Sequence, residues 1–199
     1  SCDTCQKKNS VARDVSGLST QLHELAADLL IVNKCKNEED LGDCILVVRE
    51  TTTSFLWLRV LSTKGEASAY ILSVIDDSKL NVTKLICDNG TEFNSKEFDE
   101  ALKKRGVTKV SNIPGTKQTT GAAEVTVRYV REQVSAVCDL IKLPPRLWTW
   151  TVSAVSTAWN STFHVPRGIP YLLLYNITPP LEYLPGSPLL VTLSGKPKL

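Results

Sequence analysis

The order of its apolar segments is the sequence feature that most restricts how this chain can fold. Three strand-like apolar runs come first, and later apolar segments alternate between helical and strand-like spacing. Strands are predicted in the second half of 22–32 and at 44–48, 55–61, 84–87 and 107–113. Neighbouring strands followed by alternating helices and strands are typical of a mixed sheet covered by helices. The pattern therefore predicts an α/β fold, with a mixed five-stranded sheet and helices on both faces.

Helices are predicted where apolar residues recur every three or four positions. The first two predicted helices begin with capping-box patterns, which are Thr63 with Glu66 and Asn94 with Glu97. Gly106 is placed to end the second of these helices. A loop is predicted at 114–121, followed by a long helix that ends before Pro144, and a further helix is predicted at 146–160.

Composition predicts one main domain. Of the 199 residues 42% are apolar and 22% are charged, which are values typical of a globular protein. Residues 1–20 are polar, and residues 161–199 hold seven of the ten prolines, so 21–160 is predicted to be the folded core and 161–199 a proline-rich extension. The chain begins with serine and contains no methionine, and we expect it to derive from a polyprotein.

Charge and cysteine content exclude several kinds of protein. The net charge is only +2, so a nucleic-acid-binding face would have to be local. The six cysteines do not form the spaced pattern of a disulfide framework, and a reducing, intracellular compartment is expected. No apolar run reaches the roughly 18 residues that cross a bilayer, so no membrane partner is expected.

Three acidic residues are candidates for binding divalent metal ions. Asp28 lies inside an apolar strand-like run, Asp88 follows another such run directly, and Glu124 lies near the start of the long helix. Carboxylates suit Mg²⁺, which prefers oxygen ligands, and two such ions can catalyse phosphoryl transfer. Thirty-five residues separate Asp88 from Glu124, but two other Asp–Glu pairs share this spacing, so the spacing alone indicates nothing. Glu24 is an alternative to Asp28 on the first strand.

Five segments, in this order, carry a resemblance to a known family. They are Cys2-Asp-Thr-Cys5-Gln-Lys-Lys, Asp88-Asn-Gly-Thr-Glu-Phe-Asn-Ser, Gln118-Thr-Thr-Gly121-Ala-Ala-Glu124, Leu143-Pro-Pro-Arg-Leu-Trp148 and Gly168-Ile-Pro-Tyr171-Leu-Leu-Leu. Together they resemble the integrases of retroviruses and long-terminal-repeat retrotransposons, especially the Ty3/gypsy-like and BEL-like elements. The resemblance covers roughly residues 1 to 176. Residues 1–20 then match the end of the His-His-Cys-Cys zinc module and its linker.

The resemblance implies an RNase H-like core with polynucleotidyl transferase activity. Asp28, Asp88 and Glu124 would be the catalytic residues and would hold two Mg²⁺ or Mn²⁺ ions. The implied reactions are removal of the 3′-terminal nucleotides of element DNA and strand transfer into target DNA. Implied partners are element ends, target DNA and further copies of the chain in a dimer or larger assembly. The protein would be released from a Gag-Pol-type polyprotein and act in the nucleus.

Basic and polar residues near Glu124 are candidates for DNA contact. Arg128 and Arg131 follow Glu124 at helical spacing and share its face, and Lys117 and Gln118 lie in the preceding segment. Arginine suits this role because its planar guanidinium matches phosphate oxygens. The alternative is an ordinary solvated face supported by Glu–Arg pairing along the helix.

Cys2 and Cys5 supply two thiolates at the spacing of structural zinc sites. A tetrahedral site needs two further ligands, and His23 and His164, which are the two histidines of the chain, lack the spacing of the family's histidine pair. The sequence therefore predicts half a zinc site, which would bind Zn²⁺ only in a longer chain.

Two other functions remain open from the sequence. Asp28 lacks the neighbouring Trp and Gly-Pro that often flank the first acid in this family, Lys117 replaces a common proline, and Ala122 replaces a polar residue. The flanks of Asp28, Lys117 and the missing methionine fit a domesticated or decayed descendant that binds DNA or protein without catalysis, whereas the intact set of three acids argues against decay. A different RNase H-like nuclease or a DNA transposase is a third reading. The Cys-x-x-Cys pair shortly before Asp28 favours an integrase over that third reading.

Overall fold

Five strands form one mixed sheet in the computed structural model, which describes residues 21–31, 44–111, 117–143, 148–165 and 167–179, with backbone alone at 117–124. The strands are β1 (Leu22–Ile31), β2 (Cys44–Glu50), β3 (Leu56–Leu61), β4 (Asn81–Cys87) and β5 (Thr108–Ser111). Their order across the sheet is β3-β2-β1-β4-β5. The β3–β2 and β2–β1 pairs are antiparallel, and the β1–β4 and β4–β5 pairs are parallel. The predicted mixed five-stranded sheet is confirmed.

Five described helices cover the sheet. They are α1 (Ala67–Asp77), α2 (Lys96–Lys104), α3 (Lys117–Leu140), α4 (Thr149–Ser161) and α5 (Pro170–Tyr175). Buried side chains of α1 and α2 pack in one apolar cluster, and those of α3 and α4 pack in a second. The two clusters lie on opposite faces of the sheet, so the predicted placement of helices on both faces is also confirmed.

Strand β2 shows why the sheet needs two helical layers. All five residues from Cys44 to Val48 are buried, and successive side chains of a strand point to opposite faces. Leu46 belongs to the cluster with α1 and α2, whereas Ile45 and Val47 belong to the cluster with α3 and α4. Each such side chain contributes about 1.5–3 kcal/mol when fully buried, so both faces of β2 must be covered.

The turn between β2 and β3 is held against α4 by side-chain hydrogen bonds. The Asn160 side chain accepts from the Leu56 amide and donates to the Leu56 carbonyl, both at 2.8 Å. The indole N–H of Trp159 donates to the Ser54 carbonyl at 2.7 Å, and Arg49 and Arg167 both donate to the Ser54 hydroxyl. These bonds join the edge strand β3 to the helical layer.

The predicted loop at 114–121 is wrong in its second half, because α3 already begins at Lys117. Gly and Thr are poor helix formers and led to the loop prediction. Extending an existing helix adds one hydrogen bond per ordered residue, however, and this offsets a per-residue cost of about 0.5–1 kcal/mol. The first residues of this helix therefore cannot be recognised from composition.

The predicted cap of α2 is wrong by one residue. Ser95, not Asn94, is the N-cap, and its hydroxyl accepts a hydrogen bond from the Phe98 amide at 3.1 Å. The Thr63–Glu66 capping box is present, and Gly106 follows α2 with a φ of 72°, as expected for a glycine that ends a helix.

The predicted proline-rich extension contains a helix. Pro170 opens α5 at its first turn, where a proline costs no hydrogen bond. Tyr171 and Tyr175 of this helix pack against Phe55, with ring centroids 6.1 and 5.3 Å away. Composition did not predict α5, because the prolines around this short aromatic helix are typical of a loop.

Candidate active site

Asp28 lies in the middle of the sheet and faces α3. It pairs across β1 and β2 with Val47, which belongs to the apolar cluster under α3 and α4. The side chain is half-buried, and one of its carboxylate oxygens accepts a hydrogen bond from the Leu29 amide at 2.7 Å. A carboxylate therefore interrupts the apolar face at this position.

Asp88 follows β4 at the neighbouring place. The parallel register pairs Ala26 of β1 with Ile86 of β4, and two residues further along both strands are Asp28 and Asp88. Because side chains alternate with a period of two, both carboxylates lie on the α3 face. Asp88 also accepts a hydrogen bond from the Gly90 amide at 3.1 Å, which closes a tight turn at the end of the strand.

The alternative acid Glu24 occupies a different place. It pairs with Lys84 in the strand register, and the Lys84 ammonium lies 2.6 Å from its carboxylate. Glu24 thus lies four residues before Asp28 on the same face of β1 and is already paired with a cation. The geometry favours Asp28 as the acid beside Asp88.

Glu124 is carried by α3, the helix that packs against β1. Its backbone lies in α3, but its side chain falls outside the described residues, as do the side chains of Lys117 and Gln118. Arg128 and Arg131 are exposed on α3, as the predicted face requires. Cys2 and Cys5 lie outside the described residues altogether.

The side chain of Glu92 covers the turn after Asp88. A Cβ atom added at Gly90 would lie 2.6 Å from the carboxylate carbon of Glu92, which folds back over the turn. The side-chain amide of Asn94 donates to the Asn89 carbonyl at 2.9 Å and closes the loop from the other end. The motif that the sequence analysis singled out is therefore a compact loop with its own internal hydrogen bonds.

The available donors suit a hard divalent cation. Burial is the main factor that raises the pKa of the Cys87 thiol to about 11, so this neighbour of Asp88 stays protonated at neutral pH. Asp28 and Asp88 offer carboxylate oxygens, which Mg²⁺ and Mn²⁺ prefer. Among the side chains that the structure describes, no group of three or more His, Cys, Asp or Glu is placed to hold a metal ion. Glu124, on α3, stays the predicted third acid.

Solved structures share this architecture. The chain matches the catalytic core domain of HTLV-2 integrase in complex with magnesium with a TM-score of 0.61, at 15% identity over 77% of this chain and 95% of that one. The core domain of BIV integrase gives 0.61 at 22% identity, over 77% and 93%. An intasome of simian T-cell lymphotropic virus, in complex with a PP2A regulatory subunit, gives 0.62 at 18% identity, over 82% and 57%. This is the fold of an integrase catalytic core.

Sequence comparison agrees with the integrase fold. A retrovirus-related Pol polyprotein from transposon TNT 1-94 of Nicotiana tabacum is 30% identical over 115 residues, which are 56% of this chain and 9% of that protein. The Pro-Pol polyprotein of feline foamy virus is 29% identical over 136 residues, which are 67% and 11%. No family model matches the chain. The resemblance to retroviral and retrotransposon integrase cores is confirmed, and the chain spans about a tenth of these polyproteins.

Three further predictions concern membrane spans, the zinc half-site and the domain boundaries. None of the described helices is long and apolar enough to cross a membrane. The zinc half-site stays a prediction, as do the three domain boundaries.

Sequence reasoning missed Lys109, which contacts the loop after Asp88 from strand β5. A lysine in a short strand carries no motif that could have revealed this role.

Proposed function

We propose that this integrase core catalyses metal-dependent 3′-end processing and strand transfer of retroelement DNA. The observation that supports the proposal is the parallel register of β1 and β4, in which Ala26 pairs with Ile86 and Asp28 and Asp88 each follow two residues later. Glu124 on α3 is the third acid of the proposed site. Asp28 is half-buried and Asp88 is exposed. Like charges at adjacent positions repel each other, and a divalent cation bound between two carboxylates offsets this repulsion, which supports a metal site.

Asp28, Asp88 and Glu124 would hold two Mg²⁺ or Mn²⁺ ions. Such ions, when bound, activate the attacking oxygen and stabilise the leaving oxygen of a phosphodiester. The three carboxylates would supply the negative charge that the metal ions need. The hydrogen bonds to Asp28 from Leu29 and to Asp88 from Gly90 hold two of these side chains in place. Water is the proposed attacking group in processing, and a DNA 3′-hydroxyl is the attacking group in strand transfer.

The proposed DNA path runs over the exposed side of α3. Arg128 and Arg131 face solvent there, and Lys117 and Gln118 lie at the start of the same helix. Element ends and target DNA are the proposed substrates. Structural neighbours include a trimeric and a dimeric form of one integrase core and an intasome, which supports assembly into a dimer or larger oligomer. Release from a polyprotein and action in the nucleus complete the proposal.

The domain proposal follows the sequence boundaries. Residues 21–160 would form the catalytic core, 1–20 the end of a zinc-binding module, and 161–199 an extension that carries α5. Zn²⁺ would bind Cys2 and Cys5 only together with ligands supplied by a longer chain.

Calorimetric titration with Mn²⁺ tests the proposed site. We expect the wild-type chain to bind Mn²⁺ in the presence of a DNA duplex that mimics an element end, and Asp88→Asn to weaken that binding by at least about tenfold. Asp77→Asn removes an exposed acid at the end of α1 and serves as the matched control. Strand transfer of a preprocessed duplex should fall with the Mn²⁺ affinity.

One outcome would favour the domesticated binding module instead. A folded chain that binds the duplex but takes up no Mn²⁺, with or without DNA, would show that the carboxylates do not form a metal site. The same assay then separates a DNA-binding descendant from an enzyme, because duplex binding and Mn²⁺ binding are measured independently.

A further inference from the structure

The ammonium group of Lys109 contacts the loop that follows Asp88. We define the Asp88 loop as residues 88–94. The Lys109 ammonium, on β5, donates to the Phe93 carbonyl at 2.7 Å and to the Asn94 side-chain oxygen at 3.4 Å. It also forms an ion pair with Asp99 of α2, at 2.5 Å. Lys109 therefore connects the far end of the loop to β5 and to α2.

A second hydrogen bond extends this connection to the start of the loop. The Asn94 amide group that lies beside Lys109 donates to the Asn89 carbonyl at 2.9 Å. Asn89 is bonded directly to Asp88. The contacts therefore form one chain from the Lys109 ammonium through Asn94 to the residue that follows the candidate metal ligand.

The position of Lys109 is unusual for a lysine. Its side chain is 16% exposed, whereas that of Lys84, on the neighbouring strand, is 39% exposed although it also forms an ion pair. Burying most of a lysine costs free energy that needs compensation by hydrogen bonds and an opposite charge. Two loop oxygens and the Asp99 carboxylate supply this compensation, so the loop conformation and the lysine position depend on each other.

The loop has few other anchors. Phe93 is fully buried in the apolar cluster, and the Ser68 hydroxyl of α1 donates to the Glu92 carbonyl. Both act on residues 92 and 93, and the backbone N–H of Phe93 also holds Gly90 by donating to its carbonyl at 3.1 Å. The hydrogen bond to the Asn89 carbonyl comes from the Asn94 side chain. Fixing Asn89 relative to the sheet therefore falls to Asn94 and, through it, to Lys109.

We propose that Lys109 and Asn94 are positioning residues, which fix the direction of the Asp88 carboxylate for metal binding. This inference rests on the proposed function, because it concerns the same acid. Neither residue needs to touch metal or DNA. Their effect is to restrict the backbone of Asn89 and Gly90, which holds the Asp88 side chain in its tight turn. Residues that orient a metal ligand in this way commonly change metal affinity by 10–100-fold when they are replaced.

The test compares two lysines that each form an ion pair between neighbouring parts of the fold. Lys109→Met removes the proposed positioning contact, Lys109→Arg keeps the positive charge, and Lys84→Met removes an ion pair between β1 and β4 away from the Asp88 loop. Amide hydrogen exchange of Gly90, measured by NMR without metal, reports on the loop itself. Mn²⁺ titration of the full chain reports on the metal site.

We expect Lys109→Met to speed exchange at Gly90 and to weaken Mn²⁺ binding by about tenfold, and Lys109→Arg to restore part of both. Lys84→Met should change neither by more than about twofold. Asn94→Ala changes an exposed side chain that does not threaten folding, and its effect on Mn²⁺ affinity should not add to that of Lys109→Met, because both break the same chain of contacts.

Two results would overturn the inference. Equal exchange at Gly90 in Lys109→Met and Lys84→Met would show that Lys109 does not hold the loop. Faster exchange with unchanged Mn²⁺ affinity would show that the loop does not position a metal ligand. If Asp88→Asn itself leaves Mn²⁺ affinity unchanged, the proposed function fails, whereas the exchange measurement still decides whether Lys109 holds the loop.

Discussion

Glu50 shows at the scale of one residue how the fold holds a buried charge. Its side chain is fully buried on the face opposite α3. One carboxylate oxygen accepts hydrogen bonds from the Thr53 amide and hydroxyl, both at 2.6 Å, and the other lies 3.2 Å from a ring nitrogen of His23. Burial by itself raises the pKa of the Glu50 carboxyl, but the bonds from Thr53 and His23 outweigh it and hold the pKa below its ordinary value.

The lowered pKa of Glu50 predicts a loss of stability in acid. A carboxyl whose pKa is lower in the folded than in the unfolded chain stabilises the fold above the unfolded value, near 4.5, and this contribution is lost as the pH falls through the folded value. Glu50→Gln should cost about 1–3 kcal/mol at pH 7 and should flatten the decline below pH 4.5. Urea unfolding at several pH values measures both effects.

A surface glutamate provides the control for Glu50. Glu100→Gln, on the exposed side of α2, should leave the free energy of unfolding and its pH dependence nearly unchanged. If Glu50→Gln loses stability in acid as steeply as the wild type does, the carboxylate does not carry the proposed charge-dependent stabilisation.

The site residues differ in how far sequence could reveal them. Asp88 and Glu124 stand in local motifs, and Asp28 was chosen over Glu24 because it fits a buried strand. The structure supports that choice through the strand register and the Lys84 ion pair of Glu24. Lys109 could not be found, because its importance depends on a loop that reaches it from 16 residues earlier in the chain.

At the scale of elements, α4 completes the hydrogen bonding of an edge strand. The outer side of β3 has no neighbouring strand in the described sheet, and the Asn160 side chain takes the place of one at Leu56. The Ser156 hydroxyl donates to the same Leu56 carbonyl at 2.9 Å. The amide of Leu56 thus depends on Asn160, whereas its carbonyl has two donors.

This difference predicts unequal effects of two small substitutions on α4. Asn160→Ala leaves the buried Leu56 N–H without its acceptor and should lower the free energy of unfolding by about 1–3 kcal/mol. Ser156→Ala leaves the Leu56 carbonyl with a donor and should cost less than about 1 kcal/mol. Urea unfolding monitored by tryptophan fluorescence gives both values, and equal losses would argue against the edge-strand role of Asn160.

The elements also show where sequence patterns succeed. Alternating or continuous apolar runs located all five strands, since burial on one or both faces determines which residues a strand can use. The start of α3 was missed because extension of an existing helix offsets poor local preference, and α5 was missed because it depends on distant contacts. In α5, for example, Tyr171 and Tyr175 gain their partner Phe55 from a turn more than 100 residues away.

At the scale of the whole molecule, the weak net charge makes the placement of each arginine important. Arg128 and Arg131 lie on the α3 side of the sheet, and Arg105 lies on the opposite side, where it pairs with Asp76. Only the first two lie on the proposed DNA path. The overall charge of +2 hides this difference.

Salt dependence of DNA binding tests this placement. Each phosphate contact adds roughly 0.9 to the slope of log K against log salt concentration. Replacing both Arg128 and Arg131 with Gln should reduce the slope by about 2, whereas Arg105→Gln should leave it unchanged. Fluorescence anisotropy with a labelled duplex measures the slope, and equal slopes for all three proteins would exclude the α3 face as the DNA path.

The central pairing of β1 with β4 has a consequence for synthesis of the chain. The two strands are adjacent in the sheet but about 60 residues apart in sequence, and β2, β3 and α1 lie between them. Pairings between distant segments form slowly, because the intervening chain must first be ordered. Asp28 leaves the ribosome long before Asp88, and Glu124 follows later still. A nascent chain therefore carries the three acids separately, and the proposed metal site can form only after α3 has been synthesised.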